Sequence, residues 1–302
     1  MPDQAQKLRE LVEQRDTGRA PVVTLDPKAP RPRTLAVTSG KGGVGKTNLV
    51  VNLAIAMARR GKKILIVDAD LSLANIDVLL GLQPQYNLSH VIWGQKRLGE
   101  VVVEGPHGVR VIPASSGVQE LAMLTEFELA GLVDQFSELD PTVDLILIDT
   151  AAGISDGVLS FVLSADEVVL VTTPEPTAYV DAYQMLKTLH FTDPEKKVHL
   201  VVNMAMTEKE GRTTAEFLRK MASQFLRHDL HPLGCIQKDP DVPTAIRVQR
   251  AFLEEAPHCL ASQGIQSLAT RILNLEKDPA EDAGGAGSFW KRLAEYLKVG
   301  SK

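Results

Sequence analysis

Gly40-Lys41-Gly42-Gly43-Val44-Gly45-Lys46-Thr47 decides the fold of this 302-residue chain. The run follows an apolar, β-branched stretch, Leu35–Ser39, and precedes a helical pattern, Asn48–Arg60. A strand, a glycine-rich turn and a helix start in that order form a phosphate cradle. The glycines permit a tight ring of backbone N–H groups aimed at phosphate oxygens. The helix N-terminus adds partial positive charge. Lys46 is placed to reach the β- and γ-phosphates, and the Thr47 hydroxyl suits Mg²⁺.

Outward from the loop, strand-like runs recur at Lys63–Asp68, Val109–Pro113, Val143–Asp149, Glu167–Thr173 and Val198–Asn203, with helical patterns between them such as Ala178–Leu189. Several runs are apolar throughout, as strands buried on both faces of a parallel sheet are. The alternation predicts an α/β, doubly wound, mostly parallel sheet flanked by helices, a P-loop NTPase domain over 34–276. In such sheets ligands bind beyond the C-terminal strand ends. Two runs end there in acids: Ile64–Asp68, continuing Ala69-Asp70, and Leu145–Asp149, continuing Thr150-Ala151-Ala152-Gly153. A carboxylate beside a phosphate can hold Mg²⁺ directly or through water, which marks Asp68 and Asp149.

Composition narrows the class. Hydrophobic residues make up 44% and charged residues 24%, the balance of a globular domain. A net charge of -5 argues against a protein that works by coating nucleic acid. Two cysteines, Cys235 and Cys259, form no Cys-x-x-Cys pair, so an iron–sulfur or disulfide scaffold is not expected. The first sixteen residues, MPDQAQKLRELVEQRD, lack the apolar region of a secretory signal, and no apolar run reaches membrane-spanning length. A cytoplasmic location is expected.

Both ends carry amphipathic patterns. Residues 3–15 read as a helix with Ala5, Leu8, Leu11 and Val12 at spacings of three and four. Residues 16–33 hold four prolines and read as a linker. A second linker, 277–287, leads to a helix over 288–302 in which Phe289, Trp290, Leu293, Tyr296 and Leu297 share one face, with Lys291, Arg292, Glu295 and Lys298 opposite or flanking. Aromatic and apolar residues against a basic face suit a membrane surface.

Gly-Lys-Gly-Gly-Val-Gly-Lys-Thr at 40–47, Val-Asp-Ala-Asp at 67–70 and Asp-Thr-Ala-Ala-Gly at 149–153 resemble the deviant Walker A ATPases of the MinD/ParA group. The resemblance covers about residues 34–275. It implies slow, dimerisation-dependent ATP hydrolysis with ATP and Mg²⁺. It makes Lys41 the lysine that reaches across an ATP sandwich dimer, Asp70 the group orienting the attacking water, and Lys46 the partner of its own phosphates. Gly42, Gly43, Val44, Gly45, Lys46, Thr47 and Asn48 would line the phosphates, while Asn203, Pro240 and Asp241 would meet the adenine. Thr47, Asp68 and Asp149 would serve the metal. Asn48 departs from the group, where a second Thr or Ser is frequent.

Asp3-Gln4-Ala5-Gln6-Lys7-Leu8-Arg9 is similar to the N-terminal signature of the FlhG (FleN) family of flagellar-number regulators. Leu80-Gly81-Leu82 and Glu210-Gly211-Arg212 also resemble that family. The resemblance implies stimulation of an FlhF-type GTPase through Gln4, Leu8 and Arg9, and reversible association with the inner face of the cytoplasmic membrane through Phe289, Trp290, Leu293 and Leu297. Flagellar C-ring proteins and a flagellar transcriptional activator are further partners it implies, and direct DNA binding is not expected. The competing assignment is a ParA- or MinD-type partitioning or division-site ATPase.

Overall fold

The computed structural model describes residues 31–70, 76–113, 124–275 and 285–300. The N-terminal helix and most of both linkers therefore lie outside the described residues, as do Gln4, Leu8 and Arg9. An eight-stranded sheet has the order β3-β4-β2-β5-β1-β6-β7-β8. Its strands are β1 (Arg33–Thr38), β2 (Ile64–Ala69), β3 (Val103–Glu104), β4 (Arg110–Ile112), β5 (Leu145–Thr150), β6 (Glu167–Thr172), β7 (Lys197–Ala205) and β8 (Leu230–Gln237). All neighbours pair in parallel except β3 with β4.

Each face of the sheet carries its own core. One side holds α1 (Lys46–Ala58), α2 (Ile76–Leu80), α9 (Asp241–Arg247), α10 (Phe252–Glu255) and α11 (Leu260–Leu273). The other holds α3 (Leu88–Ile92), α4 (Leu98–Val101), α5 (Glu126–Ser137), α6 (Asp156–Ser164), α7 (Pro176–Thr192), α8 (Glu208–Met221) and α12 (Ala286–Gly300). Strands β2 and β5 are buried at every position, which is why they read as unbroken apolar runs ending in acid.

Two strands were not anticipated. β3 is two residues long and antiparallel. β8 contains Pro232 and Gly234, which mask its alternation; it is the edge strand, where a missing N–H is tolerated.

The C-terminal helix is docked on its own domain. The face assigned to a membrane surface is covered by the protein itself. Phe289, Trp290 and Leu293 are fully buried and Leu297 packs partly against the same core. Trp290 stacks on Phe136 of α5 with ring centroids 4.0 Å apart, and Phe289 lies 6.3 Å from Phe161 of α6. The physical reason is generic: an apolar stripe is satisfied by any apolar surface, and α5 and α6 offer a groove within the same chain. Gly287 lets the helix approach closely, since a Cβ there would fall 2.0 Å from the Ser137 Oγ.

Candidate nucleotide and magnesium site

The phosphate loop lies between β1 and α1, as the sequence predicts. Gly43 and Gly45 adopt left-handed backbone angles (φ 80° and 88°), and Gly45 caps α1 without a side chain. Gly42 and Gly43 are exposed, and a Cβ on either would meet nothing within 4 Å, which leaves the cradle open to a phosphate chain. Gly40 has a different function: a Cβ there would strike the Asp181 backbone of α7 at 2.1 Å. Lys46 is buried and donates to the Ser39 hydroxyl at 3.0 Å. Burial lowers its pKa, and the Asp149 and Asp70 carboxylates partly restore it.

Asp68 and Asp149 are side by side at the ends of β2 and β5. Burial, reinforced by Asp149, pushes the Asp68 carboxyl up to about 8, against a bond from the Asp70 N–H. Burial pushes Asp149 up to about 7, with the Thr47 hydroxyl and the Lys46 ammonium pulling it down. Both Asp149 oxygens are buried, and although the Thr47 hydroxyl is near enough to favour the ionised form, no group among the described residues makes a well-formed hydrogen bond to either. A buried, unsatisfied carboxylate beside a threonine hydroxyl is costly unless a cation completes it. The donor set Thr47, Asp68 and Asp149 therefore fits Mg²⁺, a hard cation that takes oxygen ligands.

Lys41 does not point into its own phosphate site. Its Nζ donates to Glu175 Oε2 at 3.1 Å and Thr177 Oγ1 at 3.0 Å, and the pair is solvent-exposed. Sequence reasoning missed Glu175 and Thr177; their position at the start of α7, just after the C-terminal end of β6, was the available signal. It also missed Ser39, whose hydroxyl holds Lys46 and donates to the Lys41 carbonyl.

Beyond the loop, a cavity of about 390 Å³ is lined by Gly45, Asn48, Asn203, Met204, Met206 and Pro240, among others. Asp241 begins α9 beside Pro240, and Asp239 fixes that turn by accepting from the Asp241 and Leu260 N–H groups. Asn203 is more engaged than expected: its Nδ2 donates to the Val44 carbonyl of the phosphate loop at 2.8 Å, and its Oδ1 accepts from Met204 N. Met204, at positive φ near the end of β7, and Met206, just beyond it, form apolar wall that periodicity did not single out.

Similarity to known proteins agrees with this geometry. A family model described as ParA, NUBPL iron-transfer P-loop NTPase, matches residues 32–273. The antiactivator FleN of Pseudomonas aeruginosa is 42% identical over 269 residues, covering 89% of this chain and 96% of that protein. The flagellum site-determining protein YlxH of Helicobacter pylori is 38% identical over 267 residues, covering 87% and 90%. MinD in the MinC:MinD cell division complex of Aquifex aeolicus superposes with a TM-score of 0.65 at 28% identity, over 82% of this chain and 98% of that one. On these similarities the chain belongs to the ParA family of P-loop ATPases, within the MinD-like group of FleN and FlhG flagellar-number regulators.

Proposed function

We propose that this ATPase dimerises on binding Mg·ATP, that dimerisation switches its association with a membrane surface, and that it regulates flagellar number or placement, stimulating an FlhF-type GTPase through residues 1–15. The carrying observation is the position of Lys41. It stands in the phosphate loop yet turns to the rim, held by an exposed ion pair with Glu175 and a bond to the Thr177 hydroxyl. Such pairs are weak, about 0–1 kcal/mol, so a phosphate on a facing protomer competes for the ammonium easily. Lys46 serves its own nucleotide while Lys41 serves the partner's, and charge neutralisation of the transferred phosphoryl group is complete only in the dimer. Asp70 orients the attacking water.

The docked α12 is the soluble resting form of the membrane anchor. Among the described residues no helix is long and apolar enough to cross a membrane, so association is by a surface helix. One such helix binds weakly, and two on a dimer gain effective concentration. The names of FleN and YlxH support the flagellar assignment.

The decisive experiment is a GTPase assay of an FlhF-type protein with the full chain, with a variant lacking residues 1–20, and with the peptide 1–20 alone. Stimulation by the full chain and peptide, lost on Gln4→Ala or Arg9→Ala, supports the reading. Equal GTPase rates with and without the peptide would overturn the N-terminal part of it. Sedimentation with anionic vesicles under ATP and ADP tests the membrane part, and identical bound fractions would overturn that.

A further inference from the structure

Asp166, between α6 and β6, joins three parts of the molecule. Its Oδ2 accepts from the Thr34 backbone N–H at 2.8 Å and the Thr34 hydroxyl at 2.7 Å, at the start of β1. Its Oδ1 accepts from Arg292 Nη2 of α12 at 2.8 Å. The same guanidinium donates from Nε to the carbonyl of Ser164, the last residue of α6, at 2.7 Å. Lys196 occupies the neighbouring carbonyls of Leu163 and Ala165. Two cations thus sit on the C-terminal carbonyls of α6, where the helix dipole favours them. The Asp166 carboxylate is buried and Arg292 is about one-third exposed.

The segment leading into the other end of α6 reaches the residue just before the phosphate loop. Gly153, shortly before the Ser155 cap, donates its N–H to the Ser39 carbonyl at 2.9 Å. Thr150, at the end of β5, donates its hydroxyl to the Val37 carbonyl. A nine-residue helix therefore runs from the phosphate loop to Arg292.

Apolar burial does not separate the docked from the membrane-bound state of α12. Phe289, Trp290 and Leu293 leave water in both, and the hydrophobic effect is non-directional. The polar contacts do separate them. Arg292 meets Asp166 and the end of α6 only when the helix is docked.

We propose that Arg292 is the latch that holds α12 on the domain, and that through α6 the latched helix opposes the ATP-bound arrangement of the phosphate loop. This rests on the reading of α12 as an anchor released by ATP-driven dimerisation. Coupling between two equilibria is reciprocal. If dimerisation loosens the latch, loosening the latch promotes dimerisation by the same factor. The tail is then an inhibitor of the ATPase as well as its anchor.

The test uses the full chain in a Trp93→Phe background, since Trp93 is exposed and Trp290, the other tryptophan, is buried. Trp290 fluorescence then reports docking alone. Arg292→Gln is expected to raise acrylamide quenching of Trp290 without nucleotide, and to lower the ATP concentration for half-maximal dimerisation by about tenfold, as loss of a charge-assisted bond does. Arg292→Lys keeps the charge without both bonds and is expected to fall between. Gly287→Leu wedges α12 off Ser137 while sparing Arg292, and should also free Trp290 and promote dimerisation. Unchanged quenching in Arg292→Gln overturns the latch. Freed Trp290 with unchanged ATP dependence in both variants overturns the coupling. Freed Trp290 and easier dimerisation, with no sedimentation on anionic vesicles, leaves the latch standing and sinks the membrane reading.

Discussion

Asp68 and Asp149 face each other in the parallel ladder of β2 and β5, at the strand ends beside Lys46. Burial holds both carboxyls well above their usual range, at about 8 and about 7. At pH 7 the free protein therefore carries extra protons here. A cation needs the ionised forms, so Mg·ATP binding should release protons, and more Mg²⁺ should bind as pH rises from 6 to 8. Calorimetry in two buffers of different ionisation enthalpy measures this. Asp68→Asn should abolish most of the release, because the higher of the two pKa values makes it the main proton carrier at pH 7, and buffer-independent heats for the native protein would contradict it.

Lys41 and Asp70 should fail in different ways. Lys41→Ala is expected to bind ATP but to remain monomeric, with hydrolysis reduced by about 10³-fold, the scale of a charge supplied in trans. Asp70→Ala should still dimerise, with turnover down by about 10²-fold, as expected for loss of a water-orienting group. Light scattering with ATP separates the two. A dimeric, active Lys41→Ala protein would sink the composite site.

Gly45→Ala should lose nucleotide binding without unfolding the domain. Its φ of 88° disfavours any side chain, and the new Cβ would lie 2.5 Å from Asn203 Nδ2. The loop and Asn203 cannot both keep their places. Titration with a fluorescent ATP analogue should show at least about a tenfold weaker affinity, if only one hydrogen bond is lost.

Glu167 ties the bottom of the sheet together. It accepts from Arg33 at the head of β1 and from His199 of β7, and all three side chains are largely buried. Burial pushes its pKa up, yet His199 and Arg33 outweigh that and leave it below the usual glutamate value. Its contribution is therefore present above the unfolded-state pKa of about 4.3 and is lost as pH falls through the lower folded value. Glu167→Gln should cost about 3–5 kcal/mol at pH 7, since it strands a buried guanidinium. Urea unfolding should show that difference shrinking in acid.

Detachability predicts unequal packing costs. Leu147→Ala, at the centre of β5, should cost about 2–5 kcal/mol of global stability. Trp290→Ala removes more surface but should shift the main unfolding transition less, because α12 can leave while the sheet stays folded. Equal shifts in thermal midpoint would argue that α12 is part of the cooperative core.

The phosphate loop, the doubly wound sheet and the two acids at adjacent strand ends were legible because local rules carry them. Glycine spacing dictates a backbone cradle, and a run such as Leu145–Asp149 must be buried on both sides. β8 was hidden by Pro232 and Gly234, whose tolerance depends on being at an edge that only the assembled sheet defines. The partners of Lys41 and Asn203 were hidden because they come from loop and helix segments distant in sequence.

The chain alone determined that Phe289, Trp290, Leu293 and Leu297 form one apolar face, since helical periodicity is local. It could not determine what covers that face. A membrane and a groove between α5 and α6 are equivalent to a non-directional force. Tertiary structure supplied the groove and, through Asp166, which brings Arg292, Ser164 and Thr34 to one point, the polar contacts specific to the docked helix.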